Sequence, residues 1–389
     1  MKAVVVIDGE HYPPVVRAAL AVLPYDVIGV WLAGGTEKLR GGEDYGVPLV
    51  DDFDGAEIVV DLSDEPVLSP TARFRLASRA LALGIPYVGA DFRFEPPVFD
   101  QFPLPSIAVI GTGKRVGKTA VTGYVARTLA RHASVVVVAM GRGGPEEPEV
   151  IEAPPTVESL LALSRSGRHA ASDHLETAIA TGVVTIGCRR AGGGLAGAVT
   201  YSNVREGARL AAARGPDVVV FDGSGAAVPP IETDKRITVV GPGQDATAYL
   251  NAYRVLISDA VVVLGDPDAE AIRALKDVPV FPVELSLRPL EPLRGRRAAV
   301  FTAGPAQTDH LDADVVAVSR NLADRAMLRA DLEGIEADVF VVELKAAAID
   351  VVAEVAAERG VETVLAVNDV VSTELDGYVE ELLPVGAGR

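Results

Sequence analysis

The sequence predicts an α/β protein with a mostly parallel sheet flanked by helices. Apolar residues make up 49% of it and aromatic ones only 5%. Val and Ala recur in short runs between Gly and Pro, the pattern of buried parallel strands alternating with Ala-rich helices. A second observation is local. The apolar run 107–110 passes through Gly111-Thr112-Gly113-Lys114-Arg115-Val116-Gly117-Lys118-Thr119 into residues 120–132, which are apolar at helical spacing, so a glycine-rich turn joins a strand to a helix. That turn makes the middle of the chain P-loop NTPase-type. The third is length: 389 residues exceed one ordinary domain, and proline clusters divide them.

Residues 1–102 read as an N-terminal, Rossmann-like α/β domain. Strands are expected at 3–7, 26–32, 57–61 and 85–88, with helices at 13–22, opened by Pro, and 70–83. Three strand ends lead into Asp8-Gly9-Glu10-His11, Gly34-Gly35 and Asp61-Leu62-Ser63-Asp64. In parallel sheets ligands lie at such ends, so these loops could face a site, although ordinary loop chemistry is the favoured account of each taken singly. Prolines 96–105 form the first linker.

Residues 103–288 read as the P-loop domain. After the loop and its helix come a strand at 134–139, a helical stretch at 157–180, a strand at 183–186, and a glycine-rich segment, 187–197, too poor in side chains for a packed element. A helix at 206–214 and strands at 217–221 and 237–240 follow. The alternation then runs helix 246–256, strand 260–264, helix 269–275 and strand 278–282. Prolines and arginines at 287–297 mark a second boundary. Residues 289–389 repeat the grammar as a C-terminal α/β domain, with strands at 298–302, 315–318, 339–342 and 363–366 and helices at 323–333 and 346–359. No period of 20 to 50 residues repeats.

The loop carries the chemistry. Glycines 111, 113 and 117 let the backbone close around an anion, and the amides of Thr112 to Ala120 face it at the helix start. Lys118 reaches the β- and γ-phosphates of ATP, and the Thr119 hydroxyl is a Mg²⁺ ligand. Thr112 stands where the usual pattern has its first glycine, and Lys114-Arg115 adds a basic crown. Asp222, ending an apolar strand of the same sheet, is the expected acidic partner of the metal. Arg142 in a glycine loop reads as a second phosphate clamp or a plain connection. Arg189, Arg190, Asn203 and Arg205 offer forked donors to a polyanionic small molecule, or belong to a connector. Lys235 and Arg236 are anion ligands or a solvated strand edge.

The net charge of −18 argues against a nucleic-acid partner and requires any anionic substrate to meet a local basic pocket. The lone cysteine, Cys188, excludes an internal disulfide and reads as structural, which fits a reducing cytoplasm. No stretch approaches the ~20 apolar residues of a membrane span. His132, His169, His174 and His310 lack metal-ligand spacing and read as surface or helix-end groups.

Two resemblances follow from these motifs. The loop GTGKRVGKT and Asp222-Gly223-Ser224-Gly225 through Val228-Pro229 are similar to the corresponding segments of dethiobiotin synthetases. A resemblance over most of the chain rests on Ile7-Asp8-Gly9-Glu10-His11-Tyr12-Pro13-Pro14-Val15, Ile110 to Arg115, Gly192 to Gly197 and Phe221 to Gly225, which look like the cyclic 2,3-diphosphoglycerate synthetase family. It implies an ATP- and Mg²⁺-dependent ligase that closes 2,3-diphosphoglycerate through an intramolecular phosphoanhydride, acting as a homodimer. On it, Lys118, Lys114 and Arg142 are the expected catalytic groups, and His11 joins Arg142, Arg189, Arg190, Asn203 and Arg205 as substrate contacts. Another small-molecule ligase or kinase is the enzyme alternative. A partner-regulated switch ATPase, with Lys114 as a loose counterpart of its signature lysine, is the non-enzyme-like one.

Overall fold

The computed structural model describes residues 1–166, 172–344, 349–372 and 374–383. The N-terminal part contains β1 (Lys2–Ile7), α1 (Pro13–Val22), β2 (Asp26–Leu32), β3 (Ile58–Asp61), α2 (Pro70–Ala82), β4 (Tyr87–Val88) and β5 (Arg93–Phe94). Its sheet has the order β2-β1-β3-β4-β5, parallel except for the last pair. Both faces are covered, so β1 and β3 are almost continuously buried and could be read from valine runs. Ser69 caps α2 by accepting from the Ala72 amide, and Pro70 follows where a missing N–H costs nothing.

The middle of the chain gives β6 (Ser106–Gly111), α3 (Lys118–Ala130), β7 (Val135–Gly141), β8 (Glu149–Ile151), α4 (Val157–Arg165), α5 (Asp173–Thr181), β9 (Val184–Ala191), β10 (Tyr201–Ser202) and α6 (Val204–Arg214). Then come β11 (Val218–Asp222), β12 (Lys235–Val240), α7 (Asn251–Leu256), β13 (Ala260–Leu264), α8 (Ala269–Leu275) and β14 (Val280–Pro289). The remainder forms β15 (Arg297–Phe301), β16 (Asp314–Ser319), α9 (Arg325–Glu333), β17 (Val339–Glu343), α10 (Ile349–Arg359), β18 (Glu362–Val371) and α11 (Glu374–Glu381).

Among the described residues these strands form one thirteen-stranded sheet, in the order β10-β9-β7-β11-β6-β12-β13-β14-β18-β17-β15-β16 with β8 beside β9. Strand β14 crosses the second proline-marked boundary. Its first half pairs parallel with β13 and its second half antiparallel with β18. Pro289 sits at the strand's last position, where losing a donor is tolerated. Helices α3 and α11 share one core face of this sheet, and Val204, Ala208 and Ala211 of α6 pack on the other. The N-terminal unit docks through α2 on α7, with Phe74 5.6 Å from Tyr249, and its core takes in Ala196, Leu250 and Tyr253.

Several expectations change. The segment 187–197 is not all loop: Gly187 to Ala191 continue β9, Gly187 and Cys188 being buried beside Ala139 and Met140 of β7. The ladder with a central strand supplies what small side chains do not. The helical stretch 157–180 is two helices, and His169 lies outside the described residues, as does the start of the helix expected at 346–359. The helix expected from 246 begins at Asn251, because the Asp245 carboxylate binds the amides of Thr247 and Ala248 in a turn. Helix α11 is an element not among the expected ones, although Leu375, Tyr378, Val379, Leu382 and Leu383 recur at helical spacing and pack on the core.

Candidate functional site

Strand β6 lies centrally, parallel to both β11 and β12, so the turn after Gly111 emerges at the carboxyl edge of the sheet. Two neighbours shape it. A Cβ on Gly117 would stand 2.9 Å from Leu264 at the end of β13, and the residue has φ +92°, a left-handed conformation that suits glycine. Gly111 approaches Lys118 and Val116 as closely, a Cβ there meeting them at 2.8–2.9 Å. At the crown Arg115 also has φ +61°, strain of ~1–2 kcal/mol for a side-chain-bearing residue and of the kind held at functional sites. The Thr112 amide donates to the Val239 carbonyl of β12 at 3.1 Å, and its hydroxyl donates to Gln244.

A cavity of about 250 Å³ opens over this loop, lined by Lys114 to Thr119, Arg142, Asp173, Glu176 and Asp222 to Gly225. Lys118 is buried, its ammonium donating to the Gly113 carbonyl at 3.1 Å. Asp222 ends β11 opposite Val109 of β6 and Ala139 of β7, and accepts from the Thr122 hydroxyl of α3 at 2.8 Å. Arg190 reaches the wall: its Nη2 donates to the Ser224 carbonyl at 2.8 Å and its Nη1 to the Gly192 carbonyl at 2.6 Å. Burial and then the charge of Arg142 lower the Arg190 pKa, with Asp173 opposing, so three charged groups share this corner.

The structure thus assembles Lys114, Arg115, Val116, Gly117, Lys118, Thr119, Arg142 and Asp222 around one cavity, with Gly111, Thr112 and Gly113 in the strand and turn before it and Ala120 in the first turn of α3. Other expected contacts lie elsewhere. Arg189 rests over the Tyr201 ring at 5.7 Å and 3.8 Å from Glu146. Asn203 is buried and bonded to backbone, accepting from the Arg189 amide and donating to the carbonyls of Pro145 and Glu146. Arg205 pairs with Asp100 of the first linker at 2.6 Å. His11 is tied to Asp8 at 2.9 Å and lies 3.6 Å from Asp64. Asp8 is raised by burial, but the Asp64 amide, His11 and the Glu10 amide together hold it below its ordinary value. Lys235 and Arg236 engage Asp259 and Glu232. The Cys188 thiol, pushed up to about 12 by burial, is a packing group.

Asp173, Glu176 and Gln244 were not singled out from sequence. The first two stand three apart on α5, a spacing that puts both on one face and was legible. Gln244 reaches the loop only through the fold.

The residues suit a magnesium nucleotide. Close-packed glycines, a buried lysine and the start of α3 converge where phosphates would sit. Magnesium held largely by phosphate oxygens and water needs only one or two protein ligands, which Thr119 and Asp222 can supply. Among the described residues no three His, Cys, Asp or Glu side chains form a group that could hold a metal ion by themselves.

Comparison with known proteins gives three family matches in register along the chain. Residues 2–95 match the N-terminal domain, 106–276 the P-loop domain and 289–369 the C-terminal domain of cyclic 2,3-diphosphoglycerate synthetase. Proteins of that name from Rubrobacter xylanophilus and Thermococcus kodakarensis are 47% and 42% identical. The first alignment covers 100% of this chain and 99% of the relative, the second 98% of each. The namesake from Methanothermus fervidus is 38% identical over 98% of this chain and 96% of its own. Among solved structures, LpxK from Aquifex aeolicus in complex with ATP superposes with a TM-score of 0.44 and 14% identity, over 74% of this chain and 91% of that one.

Proposed function

The chain belongs to the cyclic 2,3-diphosphoglycerate synthetase family, and from that membership we propose that it is an ATP-dependent ligase that closes 2,3-diphosphoglycerate into its cyclic phosphoanhydride. The observation that carries this reading in the structure is the cavity over residues 111–119, where Lys114, Arg115, Lys118 and Arg142 converge in a protein of net charge −18. An acidic protein that gathers cations at a helix N-terminus is built to hold a concentrated negative charge.

The chemistry divides into two displacements. One phosphate of the substrate takes the γ-phosphoryl group of ATP through an oxygen, and ADP leaves. The second phosphate then attacks the phosphorus of the first, a P–O–P ring forms, and orthophosphate departs with the oxygen that joined it. A phosphate with a second pKa near ~6 is already an anion at neutral pH, so no strong base is required. Positioning and charge neutralisation are the demands that remain. In our reading Lys118 neutralises the transferring group, Lys114 and Arg142 flank it, and Arg190 contacts the second phosphate from the Ser224 side. Mg²⁺, held by Thr119 and Asp222, would supply further charge neutralisation. Arg189, Asn203 and Arg205 act behind the wall, since Asn203 clips the 145–146 backbone to β9. We further propose a cytoplasmic homodimer; the buried lone thiol fits a reducing compartment.

Phosphorus NMR of the purified protein with ATP, Mg²⁺ and 2,3-diphosphoglycerate tests the reaction. Both phosphomonoester resonances should give way to an anhydride resonance while ADP and orthophosphate rise together. ADP release that leaves 2,3-diphosphoglycerate untouched would sink the assignment. Lys118→Ala should lower kcat by ~10³-fold or more, as loss of a main transition-state charge contact does; retained turnover would remove Lys118 from the chemistry.

A further inference from the structure

We propose that Arg254 is a positioning residue that holds the hairpin following Asp222 from behind, so that the hairpin seats Arg190 at the wall of the phosphate cavity. Arg254 lies on α7 and is 1% exposed. Its Nε and Nη2 both donate to the Ala226 carbonyl, at 3.0 and 2.5 Å, and its Nη1 donates to the Leu250 carbonyl at 2.9 Å. Among the described residues no carboxylate pairs with it. A guanidinium buried against carbonyls alone is costly, since dipoles replace only part of the lost hydration. Burial lowers its pKa to about 10, which still leaves it charged at neutral pH. A well-packed apolar residue would fill this space at lower cost, so stability alone is a poor account of it.

The hairpin gives the charge a use. The Gly223 amide donates to Val109 of β6 at 2.8 Å, Ser224 and Ala227 exchange bonds across the turn, and the Val228 amide donates to the Gly197 carbonyl at 2.9 Å. Within this frame the Ala226 carbonyl accepts from Arg254 and the Ser224 carbonyl from Arg190. Two guanidinium groups from different elements therefore grip carbonyls two residues apart on the hairpin whose Gly223, Ser224 and Gly225 line the cavity. Arg190 comes from β9, at the far side of β7 from β11. Besides the nearby Gly192 carbonyl, the Arg190 guanidinium is anchored on the Ser224 carbonyl, so a shift of the hairpin moves it. The role of Arg190 as a substrate contact rests on the function proposed above.

The test compares Arg254→Met and Arg254→Lys with Arg190→Ala and with the double variant Arg254→Met/Arg190→Ala. Each is measured for kcat, for KM of ATP and of 2,3-diphosphoglycerate, and for its melting transition. Arg254→Met should raise KM for 2,3-diphosphoglycerate about tenfold while leaving KM for ATP within about twofold, the split expected when one substrate's binding contact is displaced. Arg254→Lys, which keeps the charge and part of the donor set, should recover part of that loss. In the Arg190→Ala background the Arg254→Met step should add less than about twofold, because coupled residues are not additive. Equal effects in both backgrounds, or a lowered melting transition with both KM values unchanged, would overturn the proposal. If Arg254→Met does not fold, Arg254→Lys alone carries the test, with a smaller selective rise in the same KM; a proportional loss for both substrates then counts against it. A selective Arg254 effect with no effect of Arg190→Ala overturns the link through Arg190, whereas absence of cyclic product from the unaltered protein overturns the proposed reaction instead.

Discussion

Arg189 and Arg190 adjoin in sequence, and strand geometry sends them to different places. Successive side chains of a strand point to opposite faces, so β9 turns Arg190 to Ser224 and Arg189 to Tyr201 and Glu146. The glycine-rich composition around them shows that donors are present but not which donor reaches Ser224 in the cavity wall. We therefore expect Arg190→Ala to raise KM for 2,3-diphosphoglycerate by ~10-fold or more, the usual size of a lost charge-assisted contact, and Arg189→Ala to change it by less than ~2-fold. Steady-state kinetics of the two single variants check this, and equal effects would place both side chains in the site. Asn203 follows the same logic. Its amide looks like a ligand group in sequence and is consumed by three backbone bonds in the fold.

At the scale of the element, the phosphate loop depends on strands that follow it by about a hundred residues or more. Leu264 of β13 presses on Gly117, Val239 of β12 anchors Thr112, and Thr122 of α3 bonds Asp222 of β11. Gly117→Ala would meet both a left-handed φ of +92° and a contact of 2.9 Å with Leu264. It should destabilise the protein by at least ~1–2 kcal/mol, the ordinary strain of that conformation, and abolish nucleotide protection against thermal unfolding. Thermal melts with and without ATP and Mg²⁺ would show this; full protection in the variant would mean the loop tolerates a side chain. Helix α3 is also held from its far side, where Tyr124 donates to Asp376 at 2.6 Å and Arg127 pairs with Asp369. Desolvation and the Asp376 carboxylate push the Tyr124 hydroxyl above its ordinary value, so it stays a donor across the working pH range. The C-terminal segment is thereby fixed to the helix that begins at the site.

For the whole molecule, the thirteen-stranded sheet joins the P-loop region to the C-terminal region through β14 and leaves β16 at its end. Val316 and Val318 on β16 are 37% and 41% exposed, an apolar edge of the kind that a second copy covers. If the proposed homodimer forms there, Val316→Lys with Val318→Lys should halve the mass measured by light scattering while leaving the fold's circular dichroism intact. A dimer that survives both changes uses another surface. Among the described residues no helix is long and apolar enough to cross a membrane. By itself the sequence determined the α/β class, the phosphate loop and the acidic strand end, because each depends on local rules: buried periodicity, glycine at a strand-to-helix turn, and a carboxylate closing an apolar run. It also placed α1, β2, β13 and α8 to the residue, since turn and cap residues close to their ends, such as Pro13, Pro24, Gly265 and the Asp268 cap, bound the apolar pattern. The tertiary structure alone decided which arginines reach the cavity or its wall, that the face of α5 bearing Asp173 and Glu176 turns to it, that Gln244 bonds Thr112 of the loop, and that Arg254 stands behind the hairpin. Those assignments depend on strand order and on contacts between residues far apart in the chain, and neither leaves a periodic trace in the sequence.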